Sequence, residues 1–225
     1  MEIFYSVVRF FTAGGVFMLP ILAVGAVGTA IALERFITIT RMRAKNRALW
    51  AEVEPAINAG EFDKAREITA KSETALSRLL GTGLEMQGAV RRRDDVKEAM
   101  QESMMEILPQ LEKRTHYLAT FANLATLLGL LGTVSGLIHA FSAVSTANPA
   151  EKANLLSASI SEAMNCTAFD LMVAVPMLFV HAFLQTKSSQ MIDGLETAAI
   201  KFLNSLTKRA TAKVLAARIE PARAA

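Results

Sequence analysis

The sequence has 225 residues, 52% of them hydrophobic and 20% charged, with a formal net charge of +3 and a mean hydropathy of +0.32. Its charges are unevenly placed: 10–33 and 115–150 contain no Asp, Glu, Lys or Arg, and 153–186 contains only Glu162 and Asp170. A hydrocarbon core about 30 Å thick is crossed by roughly 20 apolar helical residues, so each interval is long enough to span, which excludes a soluble single domain, a disordered chain and, despite a pI near 9.1, a nucleic-acid binder.

In chain order, residues 1–9 precede a first membrane helix expected over 10–34. Glu2 near the start, the absence of a basic cluster and the length of the apolar run argue for a retained span rather than a cleaved secretory signal. Residues 35–114 follow as a helical segment. Leu49, Val53 and Ile57, then Phe62, Ala65 and Ile68, recur at helical spacing, with Gly60 as the break between them. From Asp94, read as an N-cap, Val96, Met100, Met104, Ile107 and Leu111 form another apolar stripe. This run is expected to lead straight into the second span, with Pro109 bending it but not ending it. The second membrane helix is expected over 115–143, a short outer loop over 144–156 and the third membrane helix over 157–186. A helical tail over 187–225 carries Met191, Leu195, Ala198, Phe202 and Leu206 on one face. The fold class is therefore all-α, a three-span membrane protein with long cytoplasmic helix extensions.

Charge sets the orientation. Of the 24 Lys and Arg residues, 22 lie in 35–114 and after residue 186. Positive residues close to span ends stay cytoplasmic, which puts the N-terminus outside, the C-terminus inside, and leaves no room for an outer catalytic domain. The single cysteine, Cys166, excludes a disulfide within the chain and matches no metal motif.

The polar residues inside the spans carry the chemistry. On the second, Asn123, Thr126 and Thr133 share a face, and Gly129, Gly132 and Gly136 beside them form a small-residue pattern that lets helices approach closely. Ser135, His139 and Ser142 point the other way. On the third, Ser159, Glu162, Ala163, Cys166, Thr167, Asp170, Ala174, Met177 and His181 fall on one broad face, and Pro176 loosens the helix by removing a backbone donor. A carboxyl at helix centre costs on the order of 2.5–3.5 kcal/mol to insert, so an ionisable residue there points first to an ion or proton path. An intramembrane hydrolase would need a nucleophile with a base in reach, and Ser135 with His139 has no third partner.

The string 129–141, Gly-Leu-Leu-Gly-Thr-Val-Ser-Gly-Leu-Ile-His-Ala-Phe, and the string 161–176, running from Ser161-Glu162-Ala163 through Thr167-Ala168 to Val175-Pro176, resemble the two signature motifs of the MotA/TolQ/ExbB ion-channel family. Three spans place the chain nearer the ExbB/TolQ branch than the four-span flagellar stators. The resemblance implies a bacterial inner-membrane protein in which five copies enclose a pore, with the single-span helices of an ExbD/TolR-like dimer inside it. By motif position Thr133 and Thr167 are the pore-facing hydroxyls and Glu162 the outer acid. The partner's membrane Asp binds the ion, H+ or alternatively Na+, without any bound cofactor, and a TonB/TolA-like or motility component receives the work. Asp170 departs from the family's usual glycine, and five copies of it would form a ring of carboxyls at the pore or at subunit seams, adding a second site for handling an ion or proton or changing the ion preferred. The competing reading is a passive oligomeric scaffold, in which the polar face serves packing and the cytoplasmic helices bind a partner.

Overall fold

The computed structural model describes residues 10, 11, 13–89 and 93–223, with no side-chain description for 88, 89, 210 and 212–223. Among the described residues there is no strand; 10, 11 and 13 are helical, and after them come six helices. They are α1 (Met18–Ala59), α2 (Phe62–Ala70), α3 (Ala75–Ala89), α4 (Arg93–Glu112), α5 (Thr115–Thr146) and α6 (Lys152–Arg223). Apolar windows long enough to cross a membrane lie in Met18–Ala59, in Arg93–Thr146 and in Lys152–Arg209. The chain divides into two compact units, Met1–Phe36 with Arg114–Gln185 and Ile37–Lys113 with Thr186–Ala225. The three apolar windows contribute to the first, termed here the membrane unit. The second is termed the helical unit.

Several boundaries differ from the sequence reading. The first apolar interval is not helical throughout, because the chain turns at Gly14 and Gly15, the latter at φ +75°, before α1 begins at Met18. Pro20 lies in the first turn of α1, where its missing N–H has no intrahelical partner to lose. The run from Asp94 does not pass straight into the second span. It ends at Glu112, and Arg114 takes a left-handed conformation (φ 64°) that re-aims the chain before Thr115. Such a conformation costs a non-glycine residue about 1–2 kcal/mol. The Arg114 guanidinium donates to both Glu34 oxygens at 2.8 and 3.0 Å, and this half-exposed pair offsets no more than about 1 kcal/mol of that. Pro109 stays inside α4. Asp94 is in the first turn of that helix rather than at its N-cap, where its charge suits the helix dipole. The connection expected over 144–156 is also tighter, reduced to the turn between Thr146 and Lys152.

The helical unit is built around a core of large side chains. Leu49, Val53, Ile57, Phe62, Leu76, Leu79, Leu80, Leu84, Met100, Leu111, Leu195 and Phe202 are all buried in one cluster. Local chemistry sets its corners. Gly60 at φ +76° ends α1 with its own N–H donating to the Ile57 carbonyl and the Glu61 N–H to the Ala56 carbonyl. That is the paired bonding of a helix terminus closed by a left-handed glycine. Arg209 donates to the Gly60 carbonyl at 2.9 Å and covers the Phe62 ring, while Lys201 pairs with Glu54 at 2.6 Å. The Asn46 side-chain oxygen accepts from the Leu76 N–H, and the Ser188 hydroxyl donates to the Leu111 carbonyl, so backbone groups within the core are bonded from outside their own helices.

Candidate functional site

In the membrane unit, α5 and the first half of α6 pack through small residues. A Cβ built at Gly129 would fall onto the Asp170 carboxyl, one at Gly132 would come 2.5 Å from the Cys166 Sγ, and one at Gly136 would come 3.0 Å from the Ala163 Cβ. Positions 129, 132 and 136 ascend α5 as 170, 166 and 163 descend α6, the register of an antiparallel pair one short turn apart. Without side chains at those glycines the two backbones approach closely enough for dispersion contacts to hold them. Ala122, Ala125 and Ala140 extend the buried face of α5, and Ala174, Met177 and Leu184 that of α6. On the α1 side, Gly25 meets Val173 and Gly28 meets Met177. They border a groove of about 730 Å³ whose one polar lining residue, Thr29, donates to its own helix at the Gly25 carbonyl. That groove offers no chemistry.

The sequence-derived polar residues divide between two surroundings. Asn123 and Thr126 are exposed on α5 and Thr133 is half-buried. On α6, Glu162 is exposed and Thr167 half-buried. Thr133 and Thr167 each follow one residue after the Gly132–Cys166 contact, so the register puts them at one level of the helix pair. The hydroxyl protons are used within their own helices: Thr126 donates to the Ala122 carbonyl at 3.2 Å, Thr133 to Leu130 at 2.7 Å and Thr167 to Ala163 at 3.4 Å. Each oxygen keeps its acceptor lone pairs for a cation, a water or a protonated partner. Asp170 is elsewhere. It is 1% exposed, enclosed in the Gly129 notch, and its Oδ1 has no hydrogen-bond partner among the described residues. Cys166 is buried with it one turn away. Pro176 lies within the uninterrupted α6, leaving the Met172 carbonyl without its usual backbone donor. His139 and Ser142 are exposed and Ser135 is half-buried. Among the described residues no three His, Cys, Asp or Glu side chains are grouped to hold a metal ion.

Two contacts went unseen in the sequence reading. Glu162 lies against Gly15, where a Cβ would strike its Oε1 and where the positive φ independently favours glycine. Phe11 packs edge-on against Phe169 at 4.8 Å between ring centroids, with Phe10 at 6.3 Å. The signal was available: Gly14-Gly15 followed by Pro20 is a turn and a helix start within the apolar interval.

With this geometry in view, comparison with known proteins is informative. The family model described as the MotA/TolQ/ExbB proton channel family matches residues 71–197, more than half of the chain. A protein named as a biopolymer transport protein ExbB homolog from Methanothermobacter thermautotrophicus is 27% identical over 202 residues, covering 87% of this chain and 69% of the relative. One named as ExbB-like 1 from Synechocystis is 30% identical over 186 residues, 81% of this chain and 72% of the relative. The Tol-Pal system protein TolQ of Haemophilus influenzae is 32% identical over 109 residues, a little under half of each chain.

Proposed function

The chain belongs to the MotA/TolQ/ExbB proton channel family, in its ExbB/TolQ-like branch, and we propose that it is the ring-forming channel subunit of a proton-driven motor. The coarser statement stands on the family and the fold: this is a multi-pass inner-membrane subunit of an energy-transducing complex, in a family of channels and transducers rather than enzymes. The finer reading is ours. Five copies surround a dimer of an ExbD/TolR-like single-span partner, the N-terminus faces the periplasm, and proton flow past the partner's membrane carboxyl drives it, with a TonB/TolA-like or motility component as recipient.

The observation that carries the reading is the placing of Asn123, Thr126, Thr133 and Thr167. They leave polar atoms at the surface of a unit that also exposes many large apolar side chains, such as Leu127, Leu130 and Ile138. Polar groups facing hydrocarbon are costly, so this face is suited to a wet interior shared by several copies. Hydroxyl oxygens with their protons already committed act as acceptors along such a path: they suit a hydrated proton and, as hard oxygen ligands, also Na+. The experiment is ion flux through the complex in proteoliposomes, for the chain co-expressed with a single-span partner. Thr133→Val and Thr167→Val are expected to cut flux at least about tenfold, with the five-to-two assembly intact by native mass spectrometry. Unchanged flux in both variants would leave a scaffold, not a conduit.

A further inference from the structure

Asp170 is enclosed within the protomer. Its carboxyl takes the space that a side chain at Gly129 would occupy, and its Oδ1 lacks a hydrogen-bond partner among the described residues. The groups that face it come from three sides. The apolar stretch preceding Glu34 brings no charged residue between 10 and 33, and α5 brings none. The nearest titratable side chains of α5 are His139 and, in the other direction, Tyr117 and His116, ten to thirteen residues from Gly129 and so about 15–20 Å along the helix. On α6 itself, Cys166 is one turn away, Glu162 two turns, and His181 three turns in the other direction. Among the described residues no Lys or Arg is paired with the carboxyl, which lies against the Gly129 backbone, with the buried Cys166 thiol one turn away. With no cation beside it among the described residues and Oδ1 unpartnered, an ionised carboxylate so enclosed is poorly compensated, whereas the neutral acid fits.

We propose that Asp170 is a proton-binding site internal to each protomer: it holds α5 and α6 together as the neutral acid, and losing its proton opens the cleft at Gly129. On release the carboxyl O–H bond breaks, its electron pair stays on the oxygen, and the proton passes to water entering the opened cleft. Reprotonation reverses both events. Thr133 and Thr167 lie at one level about a turn from this contact, so the protonation state of Asp170 sets the spacing of those two hydroxyls. The site stands on burial and packing, and holds whether or not the threonines line an ion path.

The single native cysteine supplies the probe. Infrared spectra of the full chain purified in detergent at neutral pH are expected to show the C=O stretch of a protonated carboxyl, shifted in D2O and missing from Asp170→Asn. N-ethylmaleimide labelling of Cys166 is then followed from neutral to alkaline pH in both proteins, and the ratio of wild-type to Asp170→Asn rates is taken so that thiol ionisation largely cancels. That ratio is expected to rise at least about tenfold as the acid band disappears. A nearby carboxylate by itself slows thiolate attack, so acceleration reports access. Should Asp170→Asn fail to fold, the wild-type titration serves alone: band loss and labelling must share one midpoint, beyond the steady tenfold rise per pH unit of an accessible thiol. A carboxylate band in place of the acid at neutral pH, or a flat ratio, overturns the proposal. Neither result bears on the flux of the threonine variants, so this site and the channel reading fail separately.

Discussion

The two units differ in what their helices bury against one another and in what they leave outside. In the helical unit the interior is Leu, Ile, Phe and Met, and few large apolar side chains lie outside it, Met105 and Ile200 among them. In the membrane unit the contacts between α5 and α6 are Gly, Ala, Cys and a carboxyl, and although Ile21, Leu118 and Leu184 are buried, Leu19, Leu127, Ile138, Met172 and Phe179 point outward. The difference is the solvent. Water drives large apolar groups inward in proportion to the area removed from it. Lipid tails are as apolar as leucine and exert no such drive, so helices associate where small residues let backbones meet. One continuous helix, α1, obeys both rules along its length, presenting Gly25 and Gly28 to α6 in one unit and Leu49, Val53 and Ile57 to the core of the other.

Substitutions that treat the two interiors alike expose this contrast. The largest effect is expected for Phe202, fully buried and edge-on to Phe62: Phe202→Ala should cost about 3–5 kcal/mol of stability, whereas Phe179→Ala should stay within about 0.5 kcal/mol. Denaturant melts of the purified chain read both, and equal losses would show that the two units follow one packing rule. Next come two side chains with the same 74% exposure, Phe179 and Met105. Phe179→Lys is expected to lower insertion by about 2.5–3.5 kcal/mol and Met105→Lys to stay within about 0.5 kcal/mol, compared as yields of membrane-inserted protein. A tolerated lysine at 179 would place that face in water. The smallest effect is at the Glu67–Lys71 pair, fully in solvent at 2.7 Å, where the lysine's hydrogen bond holds the Glu67 carboxyl below its ordinary value. A depressed carboxylate stabilises above its unfolded pKa and loses that contribution as pH falls through the folded one. Lys71→Gln therefore removes a little acid sensitivity, and thermal melts at neutral and acid pH are expected to stay within error of wild type.

Much of this could be read directly. Two charge-free intervals and a third with only Glu162 and Asp170 marked the three apolar windows, the stripe from Val96 to Leu111 marked a helix with one buried face, and the strings around Thr133 and Thr167 carried the family. The turn at Gly15 was signalled only by Gly14-Gly15 before Pro20, and the break at Arg114 and the buried seat of Asp170 could not be read, because none is a periodicity. Each depends on a residue far along the chain: Glu162 against Gly15, Glu34 paired with Arg114, Gly129 facing Asp170. A helical wheel puts Asp170 and Thr167 on one broad face, yet the approach of α5 divides that face, burying one and leaving the other half open.

Sequence alone determined which segments are helical and apolar enough to span and which family the chain joins, since hydropathy and spacing are local properties of consecutive residues. Tertiary structure decided which polar side chains remain at a surface and which are sealed between helices. That depends on how closely two backbones can approach, and here three glycines on α5 set that distance for three residues of α6.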